Sequence, residues 1–327
     1  MEYRSVGKTG IQVSGLCFGT MSFGTTADEE TSKAMYGRCR EAGINFFDTA
    51  DVYGLGRSEE ILGECIAHER ENIVLTTKVF WPTSSDINAK GLSRRHIMQA
   101  VEASLRRLKT DYIDFYFVHD FDPNTPIEET LRAMDDLQRQ GKILYPAVSN
   151  WAAWQISKAS GISAKEQLAR FELIQPMYSL VKRQAEVEIL PMAKSEQMGV
   201  ITYSPLGAGL LTGKYGVDKR PERGRLVEDA RYGDRYGANE DSVAAEDFTK
   251  YAQDHHVKPA TLAVAWVMAN PAVTAPIIGA RNLEQLEDSL AAADYKMTPE
   301  MYAEISRLSR TPAPATDRSE VLTGKWR

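Results

Sequence analysis

Short apolar runs rich in β-branched and aromatic residues recur along the chain, separated by longer stretches in which apolar residues return every three or four positions. The runs are Leu16–Gly19, Ile44–Phe47, Ile73–Thr76, Ile113–Val118, Ile143–Tyr145, Phe171–Ile174, Gly199–Thr202 and Ala275–Ile278, which makes eight strand candidates. The stretches between them carry helix signals. Ser93 can cap a helix whose Ile97, Val101, Leu105 and Leu108 fall on one face. Thr125, Pro126 and Glu128 predict an N-cap, a first helical position and a completed capping box, and Gly141 ends that helix.

Strands alternating with amphipathic helices imply parallel pairing through right-handed crossovers. Eight such units favour closure into an α/β (β/α)8 TIM barrel over an open doubly wound sheet. Ahead of the first unit, Tyr3-Arg4-Ser5 and Ile11-Gln12-Val13 flank Gly7-Lys8-Thr9-Gly10, a β-hairpin pattern placed to close the barrel's bottom. The whole of 1–327 is therefore read as one domain. Its longest departure from the repeat is a Gly-, Arg- and Tyr-rich loop at about 207–241, long enough to expect a functional covering segment.

Composition narrows the setting. With 43% hydrophobic and 26% charged residues the chain can bury a large core, and no run approaches the roughly 18 apolar residues of a membrane span. Neither does Met1-Glu2-Tyr3-Arg4 lead into a secretory apolar core, so a cytoplasmic protein with no membrane partner is expected. A net charge of −6 gives no general attraction to nucleic acid. Cys17, Cys39 and Cys65 read as reduced structural thiols, and His255-His256 has no partner at metal-ligand spacing, so no metal is expected. Nothing in the sequence sets an oligomeric state.

In a barrel of this kind chemistry sits where strands run into the following loops. The second strand ends in Asp48 with Tyr53 just beyond, the third in Lys78, the fourth in His119. Taken singly, each is most simply a structural ion pair or a buried polar group. Four fitting residue types on three consecutive strands point instead to a shared catalytic mouth.

The stretch from Gly43 through Asp48-Thr49-Ala50-Asp51-Val52-Tyr53-Gly54 to Ser58-Glu59-Glu60-Ile61-Leu62-Gly63 resembles the signature of the aldo-keto reductases, and Lys78 and His119 stand where that family's other two catalytic residues belong. A finer resemblance is to the branch containing potassium-channel β subunits and their bacterial relatives. It is carried by Ser149-Asn150, Gln175, Tyr203-Ser204-Pro205-Leu206, Leu211-Thr212-Gly213-Lys214-Tyr215 and Gly279-Ala280-Arg281, with Ser289 where that branch has asparagine.

The tetrad also makes sense on physical grounds. Reducing a carbonyl needs a hydride at carbon and a proton at oxygen, and a free phenol with a pKa of about 10 is a sluggish acid near neutrality. Lys78 beside Tyr53 is expected to favour the phenolate and lower the tyrosine pKa, Asp48 to keep the buried lysine charged, and a neutral His119 to align the carbonyl. A small-molecule aldehyde or ketone is the implied substrate.

The hydride source is implied by the resemblance to be a nicotinamide dinucleotide. The contacts so implied are Gly19, Thr20, Met21 and Asp48 on the early strands, with Ser149, Asn150 and Gln175 about the carboxamide. Tyr203 would stack on the ring, continuing through Ser204, Pro205, Leu206 and Gly207. Gly207 to Lys214 fits neither a GxGxxG fingerprint nor a Walker A loop, but it supplies a flexible backbone with Lys214 and Arg225 near a pyrophosphate. After the last strand, Gly279 and Arg281 lead into a helix carrying Gln285 and Asp288. A guanidinium at Arg281 suits a 2′-phosphate, and no acidic residue is evident to hold a bare ribose diol, so NADPH/NADP+ is favoured over NADH. Phe23, Trp81, Phe121 and Trp151 all follow strand ends and form a candidate aromatic substrate mouth.

A redox-sensing subunit that retains its dinucleotide, and a non-redox barrel enzyme, are the rival readings.

Overall fold

The structure, a computed structural model, describes residues 1–320. Two short strands, β1 (Tyr3–Ser5) and β2 (Gln12–Ser14), pair antiparallel. Eight more follow: β3 (Cys17–Gly19), β4 (Phe46–Asp48), β5 (Val74–Val79), β6 (Ile113–Val118), β7 (Ile143–Ser149), β8 (Leu173–Gln175), β9 (Gly199–Thr202) and β10 (Ala275–Ile278). They close in sequence order into a parallel barrel, with β10 pairing β3. All eight candidate runs become barrel strands. The main change is that β4, β5, β7 and β8 run further toward their C-terminal ends than the apolar runs suggested, because polar Asp48, Lys78, Ser149 and Gln175 still pair in the ladder.

Strand alternation sorts the core into two layers. Cys17, Phe46, Val74, Phe115, Phe117, Ala147, Leu173, Ile201 and Ala275 fill the barrel interior. Phe47, Leu75, Tyr116, Val118 and Val148 point outward into the layer beneath the helices. The hairpin closes the bottom by sending Val6 and Val13 into the interior cluster. It seats closely: a Cβ at Gly7, whose φ is +50°, would lie 2.5 Å from the Gln197 carbonyl, beside the start of β9.

Helix Arg94–Leu108 is capped by Ser93, which accepts from the His96 amide at 3.3 Å, and buries Ile97, Val101, Leu105 and Leu108 as expected. The next helix corrects the reading of its start. It spans Ile127–Arg139 with Pro126 at the cap and no side-chain cap. Thr125 instead donates to Asp122 Oδ2 at 2.8 Å, a competing local bond that takes its hydroxyl away from the helix amides.

The covering segment is also more ordered than a loop. It contains a 3-10 stretch Gly207–Thr212, broken by positive φ at Ala208 and Gly209, and helices Arg225–Glu228 and Ala230–Tyr236 before the long helix Asn239–Asp254 begins. Widely spaced anchors, Leu210, Leu211, Tyr215, Leu226 and Tyr236, pin it to the body. Among the described residues no helix is long and apolar enough to cross a membrane, and no group of His, Cys, Asp and Glu is placed to hold a metal. The three cysteines are free thiols, with Cys17 and Cys39 buried.

Candidate active site

Alternation along β4, β5 and β6 sends Asp48, Thr76 and Lys78 inward near the C-terminal ends of the strands. Lys78 and Asp48 are buried, and Lys78 Nζ donates to Asp48 Oδ2 and to the Thr49 carbonyl, both at 2.6 Å. The other Asp48 oxygen accepts from Thr76 Oγ1 at 2.6 Å and Gln175 Nε2 at 2.9 Å. Both carboxylate oxygens are thus engaged, the condition under which a buried pair is tolerable. Burial alone would depress the Lys78 pKa, but the Asp48 charge, the Tyr53 phenol, the hydrogen bond to Asp48 and Cys17 together outweigh it and the net direction is upward, so the side chain stays an ammonium.

Tyr53 opens a 3-10 turn, Tyr53–Gly56, in which Gly54 and Leu55 take left-handed conformations. The turn returns the phenol over the barrel: Lys78 Nζ lies 5.1 Å from its ring centroid, and the His119 ring stands edge-on at 6.0 Å with an interplanar angle of 80°. Tyr53 is half-buried while its partners lie beneath it. One expectation needs correcting. Burial pushes the Tyr53 phenol above its ordinary value, and the Lys78 ammonium pulls it back only in part. The lysine is therefore a countercharge for the phenolate as it forms, and it does not make the resting phenol a stronger acid than free tyrosine. Burial, and Lys78 nearby, hold the His119 pKa well below the usual imidazole range, so the ring is neutral. Its Nδ1 is buried without a hydrogen-bond partner among the described residues.

A hydrogen-bonded chain extends from this group around the rim. Tyr203 donates to Asn150 Oδ1 at 2.8 Å, and Asn150 Nδ2 donates to the His119 carbonyl at 2.9 Å and to Ser149 Oγ at 3.1 Å. Ser149 donates to the Gln175 carbonyl at 3.0 Å, and Gln175 returns to Asp48. Residues named from five separate strand ends therefore form one network.

The remaining cofactor candidates divide by exposure. Gly19 is buried, and a Cβ there would meet Ile277 at 2.6 Å. Thr20 is fully buried with its hydroxyl 2.7 Å from that of Ser58, so it presents no side chain to a ligand, whereas Met21 is exposed. Pro205 and Gly207 are buried, Ser204 and Leu206 half-buried, and Lys214 exposed. Arg225 stacks over Tyr232 with its guanidinium carbon 5.2 Å from the ring centroid. Gly279 lies beside the Gly19 carbonyl. Asn282 caps the helix Leu283–Leu290, Gln285 accepts from the Arg281 amide at 3.2 Å, and Asp288 is held by Lys258 at 2.6 Å. Arg281 Nη2 lies 3.4 Å from Glu228 Oε2, so an acidic side chain does stand beside it, although none is evident in the sequence to hold a ribose diol. Glu228 is 53 positions away in the chain, and only the folding of the covering segment brings the two together.

The aromatic mouth is reduced. Phe23 is fully buried against Phe18, at 5.7 Å between ring centroids, and anchors the loop after β3 instead of facing an opening. Trp151 is also buried, edge-on between Phe121 and Phe171. Trp81, 43% exposed, and half-buried Phe121 remain at the surface. Tyr232, flanked by Arg225 and Arg235, is an aromatic the sequence reading missed, because no strand precedes it. Thr76 was missed too, although its inward parity with Asp48 and Lys78 was a usable signal.

A buried lysine–carboxylate pair under a partly exposed tyrosine, with a neutral histidine across the opening, can protonate a carbonyl oxygen and stabilise the anion left behind. The profile of the Aldo/keto reductase family matches residues 15–310. This chain belongs to the aldo/keto reductase family. Its relatives include an uncharacterized oxidoreductase of Bacillus subtilis, 37% identical over 97% of this chain and 98% of the other. A probable voltage-gated potassium channel subunit beta of Arabidopsis thaliana is 38% identical over 90% and 92%. A rice protein of the same description is 36% identical over 97% and 99%. This aldo/keto reductase thus falls in the branch of the channel β subunits and bacterial oxidoreductases, and its family chemistry is oxidoreduction of carbonyl compounds with nicotinamide cofactors.

Proposed function

We propose that this aldo/keto reductase reduces aldehydes and ketones to alcohols with NADPH, reversibly, and that Tyr53 gives the proton. The observation that carries the reading is the Tyr53 ring held 5.1 Å from a fully buried Lys78 ammonium, with neutral His119 edge-on beside it.

Side chains around the strand ends support the dinucleotide reading. Ser149, Asn150 and Gln175 offer amide and hydroxyl groups beside the half-buried Tyr203 ring. Gly209 has only Tyr215 within 4 Å of where a Cβ would be, which leaves the backbone open to close approach. Exposed Lys214, with Arg225 over Tyr232 and Arg281 beside Glu228, would supply the cationic charge for the dinucleotide's phosphates. The bound cofactor would supply hydride to the carbonyl carbon.

The chain's residues do the rest. His119 donates a hydrogen bond to the carbonyl oxygen and fixes its direction. Tyr53 Oη transfers its proton to that oxygen as charge develops there. The resulting phenolate is stabilised by the Lys78 ammonium, itself held by Asp48 Oδ2 and the Thr49 carbonyl. Trp81 and Phe121 provide apolar contact for the substrate's body. We place this chemistry in the cytoplasm, acting on small molecules.

The channel-subunit relatives favour one alternative, a redox-sensing subunit that holds its dinucleotide and turns over slowly. NADPH oxidation over aromatic aldehydes, quinones, sugars and bulky ketones separates the two. Multiple turnovers at ordinary enzymatic rates with at least one carbonyl are expected. A single slow turnover followed by retention of NADP+ would replace the enzyme with the sensor.

A further inference from the structure

Arg281, the residue placed to meet a 2′-phosphate, already has an anion. Its Nη2 lies 3.4 Å from Glu228 Oε2, while the other Glu228 oxygen lies 3.3 Å from Arg223 Nε. Glu228 ends the short helix Arg225–Glu228, and the same helix begins with Arg225. Two further contacts hold that helix in place: Arg220 Nη2 donates to the Leu226 carbonyl at 3.2 Å, and Leu226 is itself buried. Tyr215, buried just below, has Glu228, Arg220 and Arg281 among the charges that bear on its phenol. The carboxylate is thus held beside Arg281, reached by Arg223 and Arg281 and by no other charged side chain at ion-pair distance among the described residues.

A guanidinium at a groove's edge can pair fully with one anion at a time in bidentate fashion. A 2′-phosphate, carrying about two negative charges near neutrality, must displace Glu228 or sit beside a like charge. A bare ribose carries two hydroxyl donors and no charge, and a carboxylate is its natural acceptor. One residue therefore pushes against the phosphorylated dinucleotide and draws in the other.

We propose that Glu228 sets dinucleotide selectivity: it competes with the 2′-phosphate for Arg281 and accepts the ribose hydroxyls when that phosphate is absent, so that NADH is used alongside NADPH. The inference rests on the reading of Arg281 as the 2′-phosphate contact. Both side chains are 37% exposed, so substituting either leaves the core intact.

The test is calorimetric binding of two fragments, adenosine 2′,5′-bisphosphate and adenosine 5′-monophosphate, to the full chain and to Glu228→Gln and Arg281→Gln. Glu228→Gln should tighten the bisphosphate by about three- to ten-fold and weaken the monophosphate, moving the ratio of NADPH to NADH affinities the same way. Arg281→Gln should remove most of the preference for the bisphosphate. If Glu228→Gln leaves bisphosphate affinity within about two-fold of the parent while Arg281→Gln abolishes the preference, Glu228 is no selector, although the phosphate site stands. If Arg281→Gln leaves bisphosphate binding unchanged, the phosphate site itself is wrong and the selector falls with it.

Discussion

Strand β5 separates two ion pairs, each built on a buried carboxylate. On its inward face Lys78 meets Asp48 at 2.6 Å. On its outward face Thr77 donates to Glu59 at 2.5 Å, and Glu59 meets Arg107 at 2.6 Å. The two differ in what surrounds them. Both Asp48 oxygens are engaged and a half-buried phenol lies above. The outer pair lies among the helices, with Glu59 buried and Arg107 partly exposed, and near it the Asp51 carboxyl and the Tyr116 hydroxyl are buried without a hydrogen-bond partner among the described residues. The inner pair holds a countercharge where a reaction would create an anion. The outer pair braces helix Arg57–Ile66 against the strand and so fixes the turn that presents Tyr53. Burial and short distances alone do not tell a site from a brace; the open neighbour does.

The largest effect should come from the inner pair. Lys78→Met should lower carbonyl reduction by at least about a thousand-fold, roughly 4 kcal/mol of barrier, while also destabilising the fold by leaving Asp48 uncompensated. Adding Asp48→Asn should restore thermal stability and leave activity low. Recovery of activity along with stability would reduce the inner pair to a brace as well. The outer pair should behave oppositely: Glu59→Gln should cost about 3 kcal/mol in denaturant unfolding, with kcat changed by no more than about three-fold. A loss of kcat without loss of stability would erase the distinction between the two faces.

Asp51 sharpens it further. Burial, with Glu59 nearby, pushes its carboxyl up to about 8, whereas the unfolded chain titrates near the ordinary 3.8. The folded form then binds more protons than the unfolded between those values. This contribution to stability is intact below about pH 4, declines as pH rises to about 8, and is flat beyond. Asp51→Asn should flatten that decline, by on the order of 4 kcal/mol, in unfolding curves taken at pH 5 and pH 8. An unchanged slope would remove the buried neutral acid from the outer layer. The smallest effect is expected of Thr77→Val, about 1 kcal/mol of stability and no measurable change in kcat.

Much of this was legible in the chain. Position at the strand ends carried Asp48, Lys78 and His119 to one end of the barrel, because the loops after parallel strands share an opening. Hydrophobic spacing gave the helix Arg94–Leu108 and its Ser93 cap. What escaped was set by distant contacts. The Thr125 hydroxyl is taken by Asp122, Phe23 turns into the core, and Glu228 reaches Arg281 only through the anchoring of Tyr215 and Leu226. The direction of the Tyr53 shift escaped for the same reason: the cation was visible in sequence, but the depth of burial opposing it was not.

The central claim is that the Tyr53 hydroxyl supplies the proton, and Tyr53→Phe removes that hydroxyl alone. With a carbonyl that the parent reduces, kcat at saturating NADPH should fall by at least about a thousand-fold in Tyr53→Phe, with the dissociation constant for NADPH, measured by tryptophan fluorescence quenching on the same samples, within about three-fold of the parent. A Tyr53→Phe protein that binds NADPH and reduces the carbonyl at the parent's rate would contradict the account outright.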